Sequence, residues 1–370
     1  MVDGALPQSA ARSGGWLNRL LARPGLHAVT MRVPGLRGFA RRDGQAIFGI
    51  VQGFVESQVL FALVELDLFE ALMPGPATAG DLALRHRVPV DRMAALLQAG
   101  AALGLLRRRG DRFGLSRRGA AMTGVPGLME MIRHHGLFYR DMADPVALLQ
   151  GRAETELARF WPYVAGGEIA PALAERYSRL MADSQRLVAE DTLAAVSFKG
   201  VRRLMDVGGG TGVFLERVGR RHPGLELELF DLPEVLATAQ ARLAGGPLAG
   251  RLRFSPGSFR AGALPVGADA VSLVRVLYDH DDDTVRALLA RAHAALPEGG
   301  RLIVSEPMSG GARPDPVTDV YFAFYTMAMG TGRTRSAETV AALCRAAGFR
   351  HARRVPTRRS YVTSVVVAVK

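Results

Sequence analysis

The spacing of apolar positions changes along the chain and predicts two structurally different parts. From residue 46 to 120 the pattern is helical and then strand-like. Apolar residues recur at helical intervals through 47–66, and two further helix starts lie at Thr78 and Pro89. Short apolar runs at 103–106 and 112–115 then flank a basic, glycine-containing turn, which predicts two strands forming a wing.

The second part alternates short apolar strands with helical segments. Strand-like runs lie at 204–207, 224–231, 252–254, 268–274 and 301–306, and a helix is predicted from 284 to 296. This alternation is typical of an α/β fold. Residues 125–200 between the two parts read as helices that roof a site.

A glycine-rich turn follows the first of these strands. The sequence Leu204-Met-Asp-Val-Gly-Gly-Gly-Thr-Gly212 runs directly into a helix-forming stretch. Glycine permits a sharp turn and close approach of a ligand, and the N–H groups that open a helix favour an anionic group. Asp231 ends the second strand, 23 residues after Gly208, where a carboxylate can accept both ribose hydroxyls of a nucleoside cofactor. This spacing alone does not separate NAD from S-adenosylmethionine.

The later strand ends carry a more specific pattern. After Pro256-Gly-Ser-Phe259, the fourth strand leads into Arg275-Val-Leu-Tyr-Asp-His-Asp-Asp282. In this order the chain resembles the class I S-adenosylmethionine methyltransferases, and most closely the O-methyltransferase family that includes plant caffeate-type enzymes, over roughly residues 45–350. The resemblance implies a Rossmann-like methyltransferase domain at 121–370, with the helical roof, and an N-terminal winged-helix-like dimerisation domain at 46–120. A basic arm at 1–45 precedes them, and a homodimer is expected.

The resemblance also implies a binding site for S-adenosyl-L-methionine. The glycines approach the amino-acid portion of this cofactor, Asp231 holds its ribose, and Ser258 and Phe259 contact its adenine. Arg275 lies either near the sulfonium and the tail carboxylate or in a pair with Glu306. The expected cofactor residues are Asp206, Gly208, Gly210, Gly212, Asp231, Leu232, Ser258, Phe259 and Arg275.

Substrate contacts are expected from the roof and from a later apolar helix. The adjacent His134 and His135 point to opposite sides of a helix, so they cannot both bind one metal ion from there. No metal site is predicted, and the single cysteine, Cys344, excludes an internal disulfide framework. The expected substrate residues are His135, Tyr139, Met181, Ser184, Tyr325 and Met329.

The chain departs from the family at the general base. The family's histidine, which deprotonates a phenol, aligns with Tyr278, and the glutamate that orients it aligns near Thr334. Three alternatives remain: His280 is the base from a shifted position, Tyr278 orients the acceptor, or no strong base is used. Neighbouring Asp279 and Asp281 are expected to favour protonated His280. Alternatively, His280 is a surface residue on an acidic turn.

One branch of the family shares these departures. Residues 275–282, 305–315 and 319–336 resemble the carotenoid O-methyltransferases of purple photosynthetic bacteria. That resemblance implies methylation of the tertiary 1-hydroxyl of acyclic carotenoids such as demethylspheroidene and hydroxyneurosporene. The apolar stretch 319–330 is consistent with a wall for a long substrate, although a core or dimer-interface role is the usual one. The alternatives are a C-methyltransferase acting on a bacteriochlorophyll precursor and a non-catalytic regulator that senses S-adenosylmethionine.

The positive charge of the chain bears on its expected partners and on its expected location in the cell. The net charge is +12, and residues 1–45 combine seven arginines with Trp16 and scattered apolar residues. This pattern suits an anionic membrane surface, but an arm that packs on a partner subunit is an alternative. Nucleic acid is not expected, because the helix at 91–102 offers few side chains for reading bases. We expect no apolar run that approaches the ~18 residues of a membrane span, and so a cytoplasmic protein, peripheral at most on the photosynthetic (intracytoplasmic) membrane.

Overall fold

The structure is a computed structural model that describes residues 15–23, 25, 26, 29, 32–160 and 171–370, with the side chains of 17, 34, 36, 160 and 171–180 left undescribed. It divides into two compact units, Met1–Arg118 and Gly119–Lys370. Much of the predicted basic arm lies outside the described residues.

The first unit consists of helices and a small antiparallel sheet. Its helices are α1 Gly15–Leu21, α2 Pro34–Glu65, α3 Leu68–Ala71, α4 Ala79–His86 and α5 Val90–Ala102, and α6 Arg117–Thr123 crosses into the second unit. Its strands are β1 Ala77–Thr78, β2 Leu106–Arg109 and β3 Arg112–Leu115, in the order β1-β3-β2. Thr78 and Asp81 form a reciprocal capping box that starts α4, as the sequence predicts.

Helix α2 differs from the sequence prediction. Pro34 occupies the first turn of α2, where proline is tolerated, and the helix runs through the predicted boundary at residue 45. Within it, Arg37–Glu65 is long and apolar enough to cross a membrane by length and composition, with a mean hydropathy of 1.8. The expectation that no apolar run approaches a span length is therefore wrong. Most of this helix is exposed, including Phe39, Ile47, Phe48, Ile50, Val51 and Phe54.

The second unit is built on a seven-stranded sheet. The strands are β4 Arg203–Val207, β5 Glu226–Asp231, β6 Leu252–Pro256, β7 Ala270–Val274, β8 Arg301–Glu306, β9 Arg350–Val355 and β10 Ser364–Val369. Their order is β6-β5-β4-β7-β8-β10-β9, and β10 runs antiparallel to both of its neighbours. Because β4 to β8 are parallel, their carboxyl ends share one edge, and the chain reverses direction across the sheet between β4 and β7.

Helices cover both faces of this sheet. The helices described in this unit are α7 Leu128–Asp141, α8 Pro145–Leu149, α9 Glu156–Phe160, α10 Pro171–Ala195, α11 Val213–Arg221, α12 Pro233–Leu243, α13 Asp282–Ala295, α14 Ala323–Ala328 and α15 Ala337–Ala346. Successive residues of β4 point to opposite faces, so Leu204 joins one buried core and Met205 the other. Helix α13 confirms the helix predicted at 284–296.

Candidate active site

The glycine turn leaves an open backbone cradle at the carboxyl end of β4. Gly208, Gly210 and Gly212 all have positive φ, at 68°, 58° and 79°. A Cβ on Gly209 would collide with the Asp206 carboxylate, whereas a Cβ on Gly210 would meet nothing within 4 Å. The turn therefore packs against Asp206 at Gly209 and leaves open space at Gly210, which fits the close approach of a ligand.

Asp231 faces this turn from the end of β5. Its Oδ2 accepts the N–H of Gly210 at 2.8 Å, and its Oδ1 accepts the N–H of Leu232 at 2.8 Å. Burial raises the pKa of Asp231, and these two backbone N–H groups oppose the rise. Each carboxylate oxygen keeps a further lone pair, so the group can accept a vicinal diol beside the cradle. This arrangement fits the ribose of the expected cofactor.

Asp206 lies beneath the turn. It is fully buried, its Oδ1 accepts a 2.5 Å hydrogen bond from the Ser272 hydroxyl, and its Oδ2 has no partner among the described residues. Burial raises the pKa of Asp206 to about 7. The Asp206 carboxylate packs beneath Gly209 and so supports the glycine turn. A direct role of Asp206 in cofactor binding stays a prediction.

Phe259 and His280 lie together beside the turn. Their ring centroids are 5.3 Å apart in an edge-to-face arrangement, and Phe259 also approaches Gly208. His280 Nδ1 lies 3.1 Å from the Arg260 guanidinium, and Ser258 accepts the N–H of Arg260. His280 is thus grouped with the residues expected at the adenine.

The electrostatics of His280 differ from the sequence prediction. Burial, reinforced by Arg260 and Arg335, lowers the pKa of His280 to about 4, although Asp281 opposes the shift. The expectation that its acidic neighbours favour the protonated form is therefore wrong, because desolvation and two cations outweigh them. His280 is buried, so it is not a surface residue either.

Arg275 organises the centre of the site. Its backbone has a φ of +59°, which is uncommon for a residue other than glycine, at the point where the chain leaves β7. Its guanidinium donates to Ser184 Oγ at 2.7 Å and to the Tyr278 hydroxyl at 3.3 Å, and it lies 3.6 Å from Met181 Sδ. Met181 and Ser184, both predicted from the sequence, are thus brought to the loop that follows β7.

Tyr278 and Glu306 are held by different partners. Burial raises the pKa of Tyr278 far above its usual range, so this phenol is a hydrogen-bonding group and not a base. Glu306 is fully buried and accepts the backbone N–H of Tyr278 at 3.1 Å. The Arg275 guanidinium contacts Tyr278, Ser184 and Met181 and so lies at the centre of the site.

A segment that sequence reasoning missed fixes the loop after β7. The N–H of Arg333 donates to the Tyr278 carbonyl at 2.8 Å, and the Thr331 hydroxyl donates to the Asp279 carbonyl at 2.9 Å. Arg335 is buried and donates to the carbonyls of Leu277 and His280. Four consecutive carbonyls thus have partners in 331–335, where the sequence shows only that the family's glutamate is absent.

An aromatic wall adjoins the polar centre. The His135 ring stacks on Tyr321 at 5.4 Å, and Tyr321 stacks on Tyr325 at 5.6 Å. His134 Nε2 lies 2.9 Å from the Tyr325 hydroxyl, a buried contact that satisfies both groups. The surrounding cluster is apolar and contains Phe138, Leu148, Leu157, Tyr325, Ala328 and Met329, with Met181 and Phe324 packed against it.

This wall places several predicted substrate residues in one region. Tyr325 and Met329 are buried in it, and His135 also lies 6.0 Å from the Tyr139 ring. Burial lowers the pKa of His135, which keeps it neutral at pH 7. Their contacts with a substrate remain predictions. The site as a whole joins a nucleoside cradle, a polar centre at Arg275 and Tyr278, and an apolar wall.

Two family models match the chain. Residues 139–350 match the O-methyltransferase domain, and residues 48–121 match the O-methyltransferase dimerisation domain. The chain is 55% identical to demethylspheroidene O-methyltransferase of Cereibacter sphaeroides, over 97% of each chain. It is 50% identical to the protein of the same name from Rhodobacter capsulatus, over 99% of this chain and 92% of that one.

Solved structures of two methyltransferases have a fold similar to that of this chain. The methyltransferase CalO1 in calicheamicin biosynthesis, in its SAH-bound form, matches with a TM-score of 0.75 and 27% identity, over 89% of this chain and 98% of that one. Human N-acetylserotonin methyltransferase in complex with SAM has a TM-score of 0.75 at 23% identity, over 89% of this chain and 97% of that one, which shows the shared fold.

Proposed function

Because the chain belongs to the O-methyltransferase family and is an S-adenosylmethionine-dependent enzyme, we propose that it methylates the tertiary 1-hydroxyl of an acyclic carotenoid of the demethylspheroidene or hydroxyneurosporene type. The observation that carries this proposal is the near full-length similarity to two relatives, at 55% and 50% identity. Both relatives are named demethylspheroidene O-methyltransferase. The C-methyltransferase and regulator alternatives find no support in these relatives.

The site is suited to an apolar acceptor with one polar end. Arg275 and Tyr278 supply hydrogen-bonding groups at the centre, and the wall around Tyr325 and Met329 supplies apolar surface. A polyene buries its length against such a wall and leaves only its hydroxyl to be satisfied by polar groups. Tyr278 in place of the family's histidine is consistent with an acceptor that is not a phenol.

Roles for the chain's own residues follow from their positions. Gly208, Gly210 and Gly212 would bind the cofactor's amino-acid portion, Asp231 its ribose, and Ser258, Phe259 and His280 its adenine. S-adenosylmethionine supplies a methyl group activated by a sulfonium, so the protein mainly has to bring the acceptor oxygen into line with it. Tyr278 and Arg275 orient the hydroxyl, and the wall excludes water.

The experiment is an assay of purified protein with S-adenosylmethionine and separate acceptors. We expect a 1-hydroxy acyclic carotenoid to gain the mass of one methylene, while a chlorin precursor of bacteriochlorophyll gains none. A gain on the chlorin alone would contradict the proposal. A gel shift with DNA fragments tests the regulator alternative, for which we expect no complex.

The dimerisation-domain match indicates a homodimer. The matched range begins at residue 48, and apolar side chains of α2 inside it are exposed in the single chain, including Phe48, Ile50 and Phe54. Ile50 is 82% exposed, which is costly for an isoleucine that stays in water. A second copy of the chain would cover this face.

The basic residues before the matched range suit an anionic lipid surface. Trp16 and Phe39 are exposed, as are Arg37, Arg41 and Arg42 near the start of α2. We place this region on the cytoplasmic face of the photosynthetic membrane, where the carotenoid substrate dissolves. Each arginine near such a surface contributes about 1 kcal/mol, and the contribution weakens with salt.

Vesicle flotation tests this membrane contact. The paired substitution Arg41→Gln and Arg42→Gln should reduce binding to phosphatidylserine-containing vesicles by about tenfold or more. The control pair Arg353→Gln and Arg354→Gln removes the same charge from exposed positions of β9 and should bind like the wild type. If both double variants lose vesicle binding equally, net charge explains the effect and the proposed contact is contradicted. Absence of vesicle binding by the wild type would also contradict the proposal.

A further inference from the structure

The second unit contains a cavity that shares no lining residue with the active site. It lies between α10, α11 and the segment 356–363, which joins β9 to β10, and its volume is about 500 Å³. That volume is in the usual range for small-molecule sites. Five arginines line the cavity: Arg217, Arg220 and Arg221 of α11, and Arg358 and Arg359 of the segment. Two stretches that are far apart in sequence therefore bring cations to one place.

The cations in this cavity outnumber the anions. Against the five arginines, the described lining contributes two carboxylates, Glu190 and Asp191 of α10, which leaves an excess of three positive charges. A cleft lined mainly by one sign of charge concentrates ions of the opposite sign. The cavity is therefore suited to an anionic ligand.

Three of the five arginines are already held by carboxylates. The pairs are Arg359 with Asp191 at 2.9 Å, Arg217 with Glu190 at 3.8 Å, and Arg220 with Glu216 at 2.7 Å. Asp191 is buried, and its two oxygens both accept from Arg359, so this pair fixes the segment 356–363 against α10. These three guanidinium groups form fixed walls of the cavity.

The other two arginines, Arg221 and Arg358, are free to bind a ligand. Both are exposed, and neither guanidinium has a hydrogen-bond or ion-pair partner among the residues that the structure describes. The charge of Arg221 acts on its neighbour His222, whose pKa is lowered by burial and then by this arginine. Unpaired cations thus face the cavity from both α11 and the segment.

The helix dipole explains only part of this cluster. Arg220 and Arg221 lie in the last turn of α11, where the dipole favours a cation. However, Arg251 already donates to the carbonyls of His222 and Leu225 just beyond that turn. The dipole also gives no reason for Arg358, which lies outside any helix. A shared anionic ligand accounts for both unpaired arginines.

A neighbouring cavity gives such a ligand room to extend. It has a volume of about 540 Å³ and shares Leu193, Ala194 and Arg221 with the first cavity. Its lining includes Phe198 and His222, whose ring centroids are 5.2 Å apart. A ligand whose anionic group is held at Arg221 can therefore place a further part beside these rings.

From this geometry we infer that the arginine-lined cavity is a second ligand site, which binds a soluble ligand through a diphosphate group. The planar guanidinium fork matches phosphate oxygens with two parallel hydrogen bonds. One phosphate ester carries about −1.5 to −2 charges at pH 7, so two phosphate groups match an excess of three positive charges better than one. Arg221 and Arg358 contact the phosphate oxygens from opposite segments.

Helix α10 connects this cavity with the active site. Asp191, which holds Arg359, lies about 10 Å along the helix from Ser184, whose hydroxyl accepts from Arg275 at 2.7 Å. A ligand that joins α11 to the segment 356–363 adds to the anchoring of α10. Binding to the folded protein alone also stabilises it by mass action, so the ligand raises Tm.

The first test measures binding of inorganic diphosphate by calorimetry, in metal-free buffer at fixed ionic strength. Saturating S-adenosylhomocysteine is present, so that the glycine turn is occupied. We expect one saturable site per chain with a Kd below about 1 mM, and a Tm higher by about 2 °C or more at roughly ten times Kd. Absence of saturable binding, or binding that occurs only without S-adenosylhomocysteine, overturns the inference.

The second test compares two double variants that remove the same charge. Arg221→Gln with Arg358→Gln should raise the Kd for diphosphate at least about tenfold. Arg107→Gln with Arg109→Gln, at exposed positions of β2, should stay within about twofold of the wild type. Equal loss in both pairs assigns the effect to net charge and overturns the inference.

Flotation with vesicles that contain phosphatidic acid distinguishes a soluble ligand from a lipid headgroup. We expect Arg221→Gln with Arg358→Gln to float like the wild type. If this pair loses vesicle binding but keeps its affinity for diphosphate, the cavity faces a lipid surface and the inference is wrong. These measurements use no methyl acceptor, so their outcome is independent of the proposed carotenoid substrate.

Discussion

The Arg335 guanidinium donates a 2.8 Å hydrogen bond to the carbonyl oxygen of His280. The same side chain donates to the Leu277 carbonyl at 3.0 Å and pairs with Asp282 at the start of α13. One buried arginine therefore ties together both ends of the loop that carries Tyr278 and Asp279.

Arg335→Gln should loosen this loop. The substitution removes a buried donor from two carbonyls and one of the two arginines that pair with Asp282, so we expect a loss of about 2–4 kcal/mol in the free energy of unfolding and at least a tenfold loss of kcat. Urea denaturation and steady-state kinetics measure the two effects. Arg333→Gln is a matched control, because its exposed side chain pairs with the same Asp282 and its loss should cost less than about 1 kcal/mol.

Asp231→Asn should weaken cofactor binding selectively. The change keeps the shape of the side chain but replaces one acceptor oxygen with a donor, which conflicts with the N–H of Gly210 or with a ribose hydroxyl. We expect affinity for S-adenosylhomocysteine to fall roughly 100-fold in calorimetry. Glu234→Gln, an exposed position in the next helix, should bind normally. Undiminished affinity in Asp231→Asn would remove this residue from the cofactor site.

His280→Asn should act on the cofactor and leave the pH profile in place. Because the pKa of His280 is lowered to about 4, the ring is already neutral throughout pH 5–8, and no limb in that window belongs to it. We expect KM for S-adenosylmethionine to rise about three- to tenfold, the size of one lost packing contact. His351→Asn at an exposed position provides the comparison. Loss of an ascending limb in His280→Asn would restore it as the base.

Tyr325→Phe should show how much the buried Tyr325 hydroxyl contributes to stability. The substitution leaves His134 Nε2 without its 2.9 Å partner in a buried position, so unfolding should become easier by about 1–3 kcal/mol. The apolar wall itself is kept, and KM for the carotenoid should change little. Tyr361→Phe, whose side chain is largely exposed, should be neutral in thermal unfolding. Equal stability of the two variants would contradict the account of this pair.

The fold was largely predictable because its signals are local. Every strand from β4 to β8 was expected within a few residues, and the glycine turn and Asp231 meet as their spacing predicts. Strands β9 and β10 were not predicted. The run at 365–369 is apolar throughout, without the alternation that marks a half-buried strand, and its pairing with β8 reveals its role.

The site was harder to predict where long-range contacts decide the chemistry. The sequence places two acids beside His280, but burial, with Arg260 and Arg335 from other parts of the chain, lowers the pKa of His280 against the opposing effect of Asp281. Similarly, the spacing of residues in 331–335 gives no sign that they bind four carbonyls of another loop. A side chain's environment in three dimensions determines its protonation, and neighbours in sequence are only part of that environment.

Transfer of a deuterated methyl group tests the central claim most directly. The protein is incubated with S-adenosylmethionine carrying a CD₃ group and a 1-hydroxy acyclic carotenoid, and the product is examined by mass spectrometry and NMR. The account predicts one CD₃ group on the oxygen at carbon 1. A label on carbon, a label only on a chlorin, or no labelled carotenoid would contradict it.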